Sequence, residues 1–419
     1  MQQLTYIVSG AMDVQRTVIE AKGNLAKIPH IETLLVTIVT QCETPLEDAL
    51  KIRDDVQKEF PEARILGHTS ALKMAGLRMD TEGVLLTFTA FEASHVDVFM
   101  LESEEEFLHP QTFLTFLSAR PHTKVVEFLV AGIVDCLDDV LSAFSSMDEQ
   151  IGVFGAFVDA APMHLHGYIF ADAQVMRHGL LAVVYHGETL DVRIVRNFGW
   201  RTLGREIVAT RVEGCTVKEL DGDVPLKVYE KYFGIRNSDD FGTDASLFPL
   251  CFEDAGGTLS ARVPLHLDRE SGDITFGLPL REGTVFRLAY GDPYGILSKA
   301  AENYRTLSAF SPQAIMGVAC IGHYLLLGDD VVSEMILCGE FPSSLSFTFG
   351  EVRRAGKHIC ADTLNVMLVG MKEDPGYTKN IKLRSKRVSQ LSYNRKMLAF
   401  LSHFIRVSEE ELYCANQRL

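Results

Sequence analysis

The sequence predicts an α/β protein of two related units, each with a mixed, largely antiparallel sheet flanked by helices, followed by a C-terminal helix. Three features lead to this prediction. Helical and extended patterns alternate as far as Met147. From Ile151 onward, short strands follow one another with brief polar joins, which favours antiparallel pairing over a doubly wound parallel sheet. The C-terminal segment 385–419 contains neither Gly nor Pro.

The N-terminal part alternates between two apolar periodicities. Apolar residues at helical spacing predict helices, and runs rich in Val, Ile, Leu and Thr predict strands. Helices are expected at 14–26, 45–60, 104–117 and 137–147, and strands at 34–40, 64–69, 83–91, 96–101 and 125–131.

The rest of the chain is richer in strands, and the polar joins between the first four suggest successive hairpins. A further hairpin with a longer loop is expected between 261 and 276. The other expected strands are 152–158, 167–170, 180–185, 190–196, 314–321, 345–352 and 363–371, and the expected helices are 293–310 and 325–337.

A weak internal similarity supports a chain built from two related halves. A displacement of the sequence by 281 residues places the strand 36–40 on 317–321 and the strand 85–89 on 366–370. A shared strand–helix–strand–strand plan is the simplest cause of this agreement. Identities are few, so chance agreement is the alternative.

Composition and charge exclude several classes of partner. The net charge is −16 and the isoelectric point lies near 5.3, so the surface repels nucleic-acid phosphates and anionic membranes. No basic segment precedes an apolar stretch at the N-terminus. The most apolar run, 125–134, contains Glu127 and is too short to span a bilayer. We therefore expect a cytoplasmic protein without a membrane segment.

The eight cysteines are scattered and form no C-x-x-C pair. Most lie in apolar runs, which is typical of free thiols in a reducing compartment and argues against a disulfide framework or a zinc site. His164 and His166 could share one face of a strand and chelate a metal, but no carboxylate-rich or cysteine-rich companion lies nearby. We expect neither a metal nor a cofactor.

The C-terminal segment carries a heptad repeat. The residues that recur every seven positions are Leu391, Leu398, Ile405, Leu412 and Leu419. This repeat predicts a coiled coil and a homodimer through residues 385–419. The alternative is an amphipathic helix docked on its own domain. The chain ends on a heptad leucine without a helix-stop residue, which suggests that the natural helix continues into a further domain.

Six short stretches follow one another in an order and spacing that resemble the FIST sensory domains, in which an N-terminal and a C-terminal unit occur together. The stretches are Ile65 to Ala71, Val153 to Ala156, Gly199 to Gly204, Val217 to Gly222, Ala319 to His323 and Phe349 to Glu351. The resemblance extends over about residues 30 to 373.

The resemblance implies an intracellular sensor of a small molecule, such as an amino acid or a related metabolite. Relatives with a helical tail often continue into a diguanylate cyclase (GGDEF) or another signalling output, which fits the heptads. The chain departs from the family pattern at His323, where an arginine is expected, and at 361–363, where Asn-x-Thr is expected. If those positions contact the ligand, specificity differs from that of typical members.

Strand ends supply the first candidate ligand-binding residues. Gly67, His68, Thr69 and Ser70 end one strand with backbone N–H groups and hydroxyls that suit a small ligand. The alternative is a turn whose hydroxyls satisfy the local backbone. The resemblance adds Phe154 and Gly155 from the glycine-rich strand of the N-terminal unit.

Gly350 and Glu351 end another strand, next to Arg353 and Arg354. A carboxylate suits the amine of an amino-acid ligand, and a guanidinium suits its carboxylate. A surface ion pair is the alternative. Trp200 follows Gly199 and is expected either to wall a pocket between the units or to be a packed aromatic.

Cys320 and His323 raise an alternative function. With Glu351 they could serve a thiol or acid–base hydrolase. Positions three apart on a strand point to opposite faces, so a buried cysteine beside a pocket-lining histidine is favoured. A protein-interaction scaffold that dimerises through the tail is the third alternative.

Three segments are therefore expected: a FIST N-terminal-like unit at 1–200, a FIST C-terminal-like unit at 201–375 and a coiled-coil helix at 385–419. The chain is predicted to be a sensor and not itself an enzyme. Its expected partners are a small-molecule ligand, a second copy of the chain, and a downstream signalling domain or protein.

Overall fold

The structure is a computed structural model, and the residues it describes are 1–132, 137–160, 165–238, 240–379, 381 and 395–416. Within these residues the strands assemble into four sheets, three of which contain one parallel pair among antiparallel pairs. Helices cover the outer faces of these three sheets. The expected mixed, largely antiparallel α/β fold is confirmed.

The first sheet is built on a strand–helix–strand–helix–strand repeat. Its elements are β1 Gln2–Val8, α1 Ala11–Leu25, β2 Thr33–Gln41, α2 Leu46–Glu59, β3 Arg64–Ser70, β4 Leu72–Ala75, β5 Arg78–Asp80 and β6 Val84–Phe91. β2 and β3 pair in parallel, and α2 provides the crossover that a parallel pair requires. β6 and β1 continue the sheet in antiparallel fashion beside β2.

The second repeat has the same order of elements. They are β7 His95–Leu101, α3 Glu104–Leu108, α4 Gln111–Ser118, β8 Thr123–Ala131, α5 Leu137–Ala143, β9 Gly152–Phe157, β10 Ile169–Ala171, β11 Gln174–Met176 and β12 Gly179–His186. The helix expected at 104–117 is two helices, because Pro110 cannot donate the backbone hydrogen bond that a continuous helix needs.

The third repeat opens with β13 Asp191–Asn197 and is then interrupted by an insert. The insert consists of β14 Trp200–Glu213, β15 Thr216–Leu220, α6 Pro225–Phe233, α7 Phe241–Ala245, β16 Leu250–Glu253, β17 Leu259–Arg262, β18 Pro264–Leu267, β19 Ile274–Phe276 and β20 Val285–Gly291. Its described strands form one antiparallel sheet in which the long β14 is central. The hairpin predicted between 261 and 276 is confirmed as β18–β19.

The third repeat resumes with a long helix. Its elements are α8 Pro293–Phe310, β21 Ala314–Cys320, α9 Ile321–Leu327, α10 Val331–Glu334, β22 Ser343–Thr348, β23 Glu351–Ala355, β24 His358–Asp362 and β25 Val366–Lys372. Asp292 caps α8 by accepting from the Tyr294 N–H at 3.1 Å, and Pro293 suits its first position. β21 and β22 form the parallel pair.

The hairpin of each repeat pairs with a strand in the sheet of another repeat. β4–β5 pairs with β22, β10–β11 pairs with β3, and β23–β24 pairs with β9. The exchange closes a cycle, so each of the three sheets is completed by a neighbour. The inner faces of the three sheets meet in one apolar core that includes Leu66, Phe154 and Met316.

The displacement by 281 residues is confirmed as a structural repeat, because it places β2 on β21 and β6 on β25. A further copy of the plan, at 95–186, lies between them. Its strands β8 and β12 are almost wholly buried, so the apolar pattern that could have marked the copy is continuous there.

The succession of hairpins expected between 152 and 196 is wrong. β9 and β12 both pair with β8, while β13 belongs to the third repeat. Short polar joins do not determine pairing when the strands are buried on both faces. The domain limit at residue 200 stays a prediction: β14 begins there, yet β23 and β24 complete the sheet of the second repeat.

The C-terminal helix α11, Arg395–Asn416, has two apolar faces. Phe404 packs against Tyr232 and Phe233 of α6, with ring centroids 5.8 and 5.7 Å apart, so the docked helix considered above is observed. The heptad residues Leu398, Ile405 and Leu412 lie on another face and are 47, 57 and 63% exposed. Leu391 and Leu419 lie outside the described residues.

Candidate functional site

A cavity of about 870 Å³ lies where the insert meets the third repeat. Cys320, Phe349 and Leu364 contribute to its wall from the third repeat, and Trp200 contributes from the start of β14 in the insert. β21 and β22 are a parallel pair, and ligands of open α/β sheets bind outside the carboxyl ends of such strands. The cavity therefore occupies a position in which a ligand site is expected.

Three predicted site residues converge on one turn in this wall. Cys320 donates its N–H to the Asn365 carbonyl at 2.7 Å, and the His323 ring bonds the Leu364 carbonyl through Nε2 at 3.0 Å. The Glu351 carboxylate accepts from the Asn365 N–H at 3.1 Å. Leu364 has φ +63°, which is uncommon for a residue with a side chain, and these bonds hold it there.

A buried polar pair supports Trp200. His323 is buried, and its Nδ1 lies 2.9 Å from Glu334 Oε2, while Asn197 donates to the other carboxylate oxygen at 2.5 Å. The Trp200 and His323 rings meet edge to face at 4.9 Å between centroids. The Trp200 indole N–H has no hydrogen-bond partner among the described residues. The pair therefore fixes the ring and leaves its donor unused.

The arrangement does not support the thiol hydrolase alternative. Burial raises the pKa of the Cys320 thiol, which disfavours the thiolate. Both ring nitrogens of His323 are engaged, with Glu334 and with the Leu364 carbonyl, so the ring is not placed to take the thiol proton. Burial and the nearby Asp362 raise the pKa of Glu351 well above its ordinary value, so this carboxyl group holds its proton.

Of the two arginines next to Glu351, Arg353 belongs to an ion network, whereas Arg354 donates to the Ile151 and Asp148 carbonyls. Asp362 accepts from Arg353 Nε at 2.8 Å and from Arg196 Nη2 at 2.9 Å, and Arg353 also bonds Asp254. Although burial opposes its ionisation, the two guanidiniums hold the pKa of Asp362 below its ordinary value. Asp362, which follows the departure from the family pattern at Ala361, thus joins the insert to the third repeat.

The residues predicted at the end of β3 lie outside the cavity wall. The Thr69 hydroxyl donates to the Val158 carbonyl at 2.8 Å, and the Ser70 hydroxyl lies 2.8 Å from the Phe347 carbonyl. Burial lowers the pKa of His68 to about 4, so the neutral ring donates from Nδ1 to the Thr69 carbonyl. These polar groups satisfy the backbone, which was the alternative considered for them.

Four other predicted residues serve packing in this structure. Gly67 lies under the Phe170 ring, and a Cβ at Gly155 would come within 2.0 Å of the Phe128 carbonyl oxygen. Phe154 is buried in the core shared by the three sheets. Gly350 lies next to the wall residue Phe349, with too little room for a Cβ beside the Phe157 ring. Whether any of the four acts in binding stays a prediction.

Much of the cavity wall comes from residues that the sequence analysis did not single out. They lie in α7, in the hairpin β18–β19, in α9 and in α11, and include Phe241, Asp244, Leu265, Arg269, Leu325 and Lys396. The hairpin itself was predicted, but its inward apolar positions follow the ordinary alternation of a strand. No local pattern distinguishes a residue that lines a cavity from one that fills a core.

Neither metal nor membrane features appear among the described residues. No group of three His, Cys, Asp or Glu side chains in this part of the chain has a metal-binding arrangement. His164, considered above with His166, lies outside the described residues, so that pair stays untested. Of the helices that the structure describes, none combines the length and the apolar character that a membrane crossing requires.

Comparison with known families identifies the chain. The FIST N domain matches residues 35–223, and the FIST C domain matches residues 225–354. No curated protein matches the chain. The two matches follow each other in the order that the sequence motifs predicted and together cover most of the chain. The chain therefore belongs to the FIST family of signal-transduction sensor domains.

Proposed function

We propose that a small molecule binds in the cavity between the insert and the third repeat, and that α11 relays its presence to a signalling partner. The observation that carries the proposal is the position of Lys396. This residue of α11 contributes to the same wall as Trp200, Cys320 and Leu364. One space thus contacts the repeats, the insert and the tail helix.

A direct path leads from the cavity to the tail. Lys396 Nζ donates to Asp244 Oδ1 of α7 at 3.0 Å, and Phe241 and Gly242 of α7 also line the cavity. Met397, the next residue of α11, is buried in the core of the insert. A ligand transmits a signal only if it binds one arrangement better than another. A ligand that displaces α7 changes how α11 docks.

The exposed heptad face of α11 provides the output surface. Leu398, Ile405 and Leu412 suit a parallel coiled coil with a second copy of the chain. We propose a cytoplasmic homodimer whose helices pass the signal to a downstream domain, such as a diguanylate cyclase, or to a separate protein. The ligand that the family resemblance implies is an amino acid or a related metabolite.

A thermal-shift screen against amino acids and common metabolites tests the binding part. A ligand at a hundred times its dissociation constant stabilises the native state by about 2.7 kcal/mol, which is a shift of several degrees. Leu325→Glu places a charge in the apolar wall and should abolish the shift. Ile19→Glu, at a similarly exposed position of α1, is the control. A shift that survives Leu325→Glu would place the ligand elsewhere.

Sedimentation analysis tests the output part. Ile405→Ser removes an apolar group from the exposed face without touching the docked face, so the dimer should dissociate at least tenfold more readily. Glu409→Gln, an exposed position on the same face, is the control and should leave the dimer unchanged. A protein that is already monomeric, or a dimer indifferent to Ile405→Ser, contradicts the coiled coil.

A further inference from the structure

The cavity wall is divided into an apolar side and a charged side. The described lining residues that belong to the three repeats or to their junction with the insert carry no charged side chain. The larger ones are Trp200, Ile321, Leu325, Leu326, Phe349 and Leu364. The charged lining residues Asp244, Arg269 and Lys396 come from the insert and α11. Such a wall fits a molecule with an apolar body and one polar end.

The size of the cavity also limits the class of ligand. A volume of about 870 Å³ is in the upper part of the range for pockets that enclose drug-sized molecules. A free amino acid would leave most of this space to water, in contact with leucine and aromatic side chains. A longer apolar body replaces that water and gains the free energy of burial for each methylene.

The polar groups of the wall favour a ligand that brings an acceptor. The Lys396 ammonium and the Arg269 guanidinium are donors only, and both contribute to the wall. Lys396 is held by Asp244 of the wall and lies 3.7 Å from Asp240, so an acidic ligand would share Lys396 with carboxylates of the insert. A carboxylate is the simplest head group that meets these donors.

We infer that the ligand is an amphipathic monocarboxylic acid with an extended apolar body, and that its carboxylate competes with Asp244 for Lys396. This inference rests on the proposed function and adds the ligand class and the point of action. Asp244 holds Lys396 at 3.0 Å and Asp240 lies 3.7 Å from the same ammonium group, so a further carboxylate in the cavity weakens the pair with Asp244. The acid thereby loosens the contact between α7 and the start of α11.

Fluorescence titration of Trp200, the only tryptophan of the chain, measures binding at the wall itself. The probes are hexanoic, octanoic, decanoic and dodecanoic acids at concentrations below micelle formation, the alcohols and amines of the same lengths, and free leucine and phenylalanine. The dissociation constant should fall about fourfold for each added methylene until the cavity is full. The alcohols and amines should bind more weakly than the acid of equal length.

Two variants with opposite expected effects test the head group. Lys396→Met keeps the apolar stem of the side chain. It should raise the dissociation constant of the acids about fivefold without changing that of the alcohols. Asp244→Asn removes the nearer competing charge and should lower the dissociation constant of the acids by up to about fivefold. Lys51→Met, an exposed lysine of α2, is the control. Equal affinity for acids and alcohols, or the same direction of change in both variants, overturns the assignment of a carboxylate.

Other outcomes separate this inference from the sensor proposal. Binding of leucine or phenylalanine but not of the longer acids, or no chain-length dependence, overturns the ligand class and leaves a sensor of another molecule. If the acids bind as expected, hydrogen exchange of α11 should increase when dodecanoic acid is added. If the acids bind but hydrogen exchange in α11 does not change, the ligand class stands and the relay of the signal through α11 is contradicted.

Discussion

The carboxyl ends of the parallel strands in the first and third repeats have the same topology but opposite surroundings. After β3, the Thr69 and Ser70 hydroxyls bond backbone carbonyls of other repeats, and Phe170 covers Gly67. After β21 and β22, Cys320 and Phe349 face a cavity. The third repeat differs because an insert stands between β13 and α8. The strand topology at the two ends is the same, and the insert creates the cavity at the end of β21 and β22.

The two ends are also held by different forces. Hydroxyl-to-backbone bonds close the first, whereas the insert is joined to the third repeat by the buried network around Asp362. Neutral hydrogen bonds contribute about 1 kcal/mol each, while an uncompensated buried charge costs several. We therefore expect the third repeat to be the more sensitive to single substitutions.

Asp362→Ala should have the largest effect. It leaves Arg353 buried without its main counter-ion and removes the acceptor of the Ala261 N–H, so it should lower the free energy of unfolding by about 3–5 kcal/mol. Urea unfolding at neutral pH measures the change. Asp191→Ala, an exposed carboxylate on β13, should remain within about 0.5 kcal/mol of the parent. Equal effects in the two variants would mean that the network contributes nothing.

The second repeat adds a buried acid to the comparison. Burial raises the pKa of Glu127 on β8 to about 7, even though the Tyr185 hydroxyl donates to it at 2.7 Å. The folded state thus holds a proton that the unfolded chain releases above its ordinary pKa of 4.5. Stability from this group is fully present below 4.5 and is lost as the pH rises through 7, by up to about 3 kcal/mol.

Urea unfolding at several pH values checks this prediction. Glu127→Gln should flatten the decline in stability between pH 4.5 and 7, the window set by the two pKa values. His68, whose pKa is lowered to about 4, works in the opposite direction, because stability is lost as the pH falls from its ordinary value. The difference between parent and variant therefore isolates Glu127. A pH profile that the substitution does not change contradicts the buried acid.

Thr69→Val should have the smallest effect of the three. The substitution keeps the shape but removes the donor to the Val158 carbonyl and an acceptor of the Tyr168 N–H, so it should cost about 1–3 kcal/mol. Thr115→Val, an exposed threonine on α4, should be close to neutral. Binding of any cavity ligand should be unaffected by Thr69→Val. Lost binding with intact stability would instead support the ligand role predicted for β3 from the sequence.

Sequence reasoning succeeded where a signal is local. The limits of α8 were predicted to the residue, since Asp292 and Pro293 mark its start and Ser311 adopts a left-handed conformation at its end. Pairing was missed where it is non-local: nothing near β10 indicates that it joins β3. For the same reason the sequence did not connect Lys396, far along the chain, with Trp200 and Cys320, although all three line one cavity.

The exchanged hairpins have a consequence for any attempt to divide this protein. Removal of the first repeat would take β4 away from its neighbour β22, and excision of the second repeat would take β10 away from its neighbour β3. Each of the three sheets thus contains a hairpin from another repeat, and the three exchanges form a closed cycle. We therefore expect that a fragment containing one repeat alone does not fold into a working part.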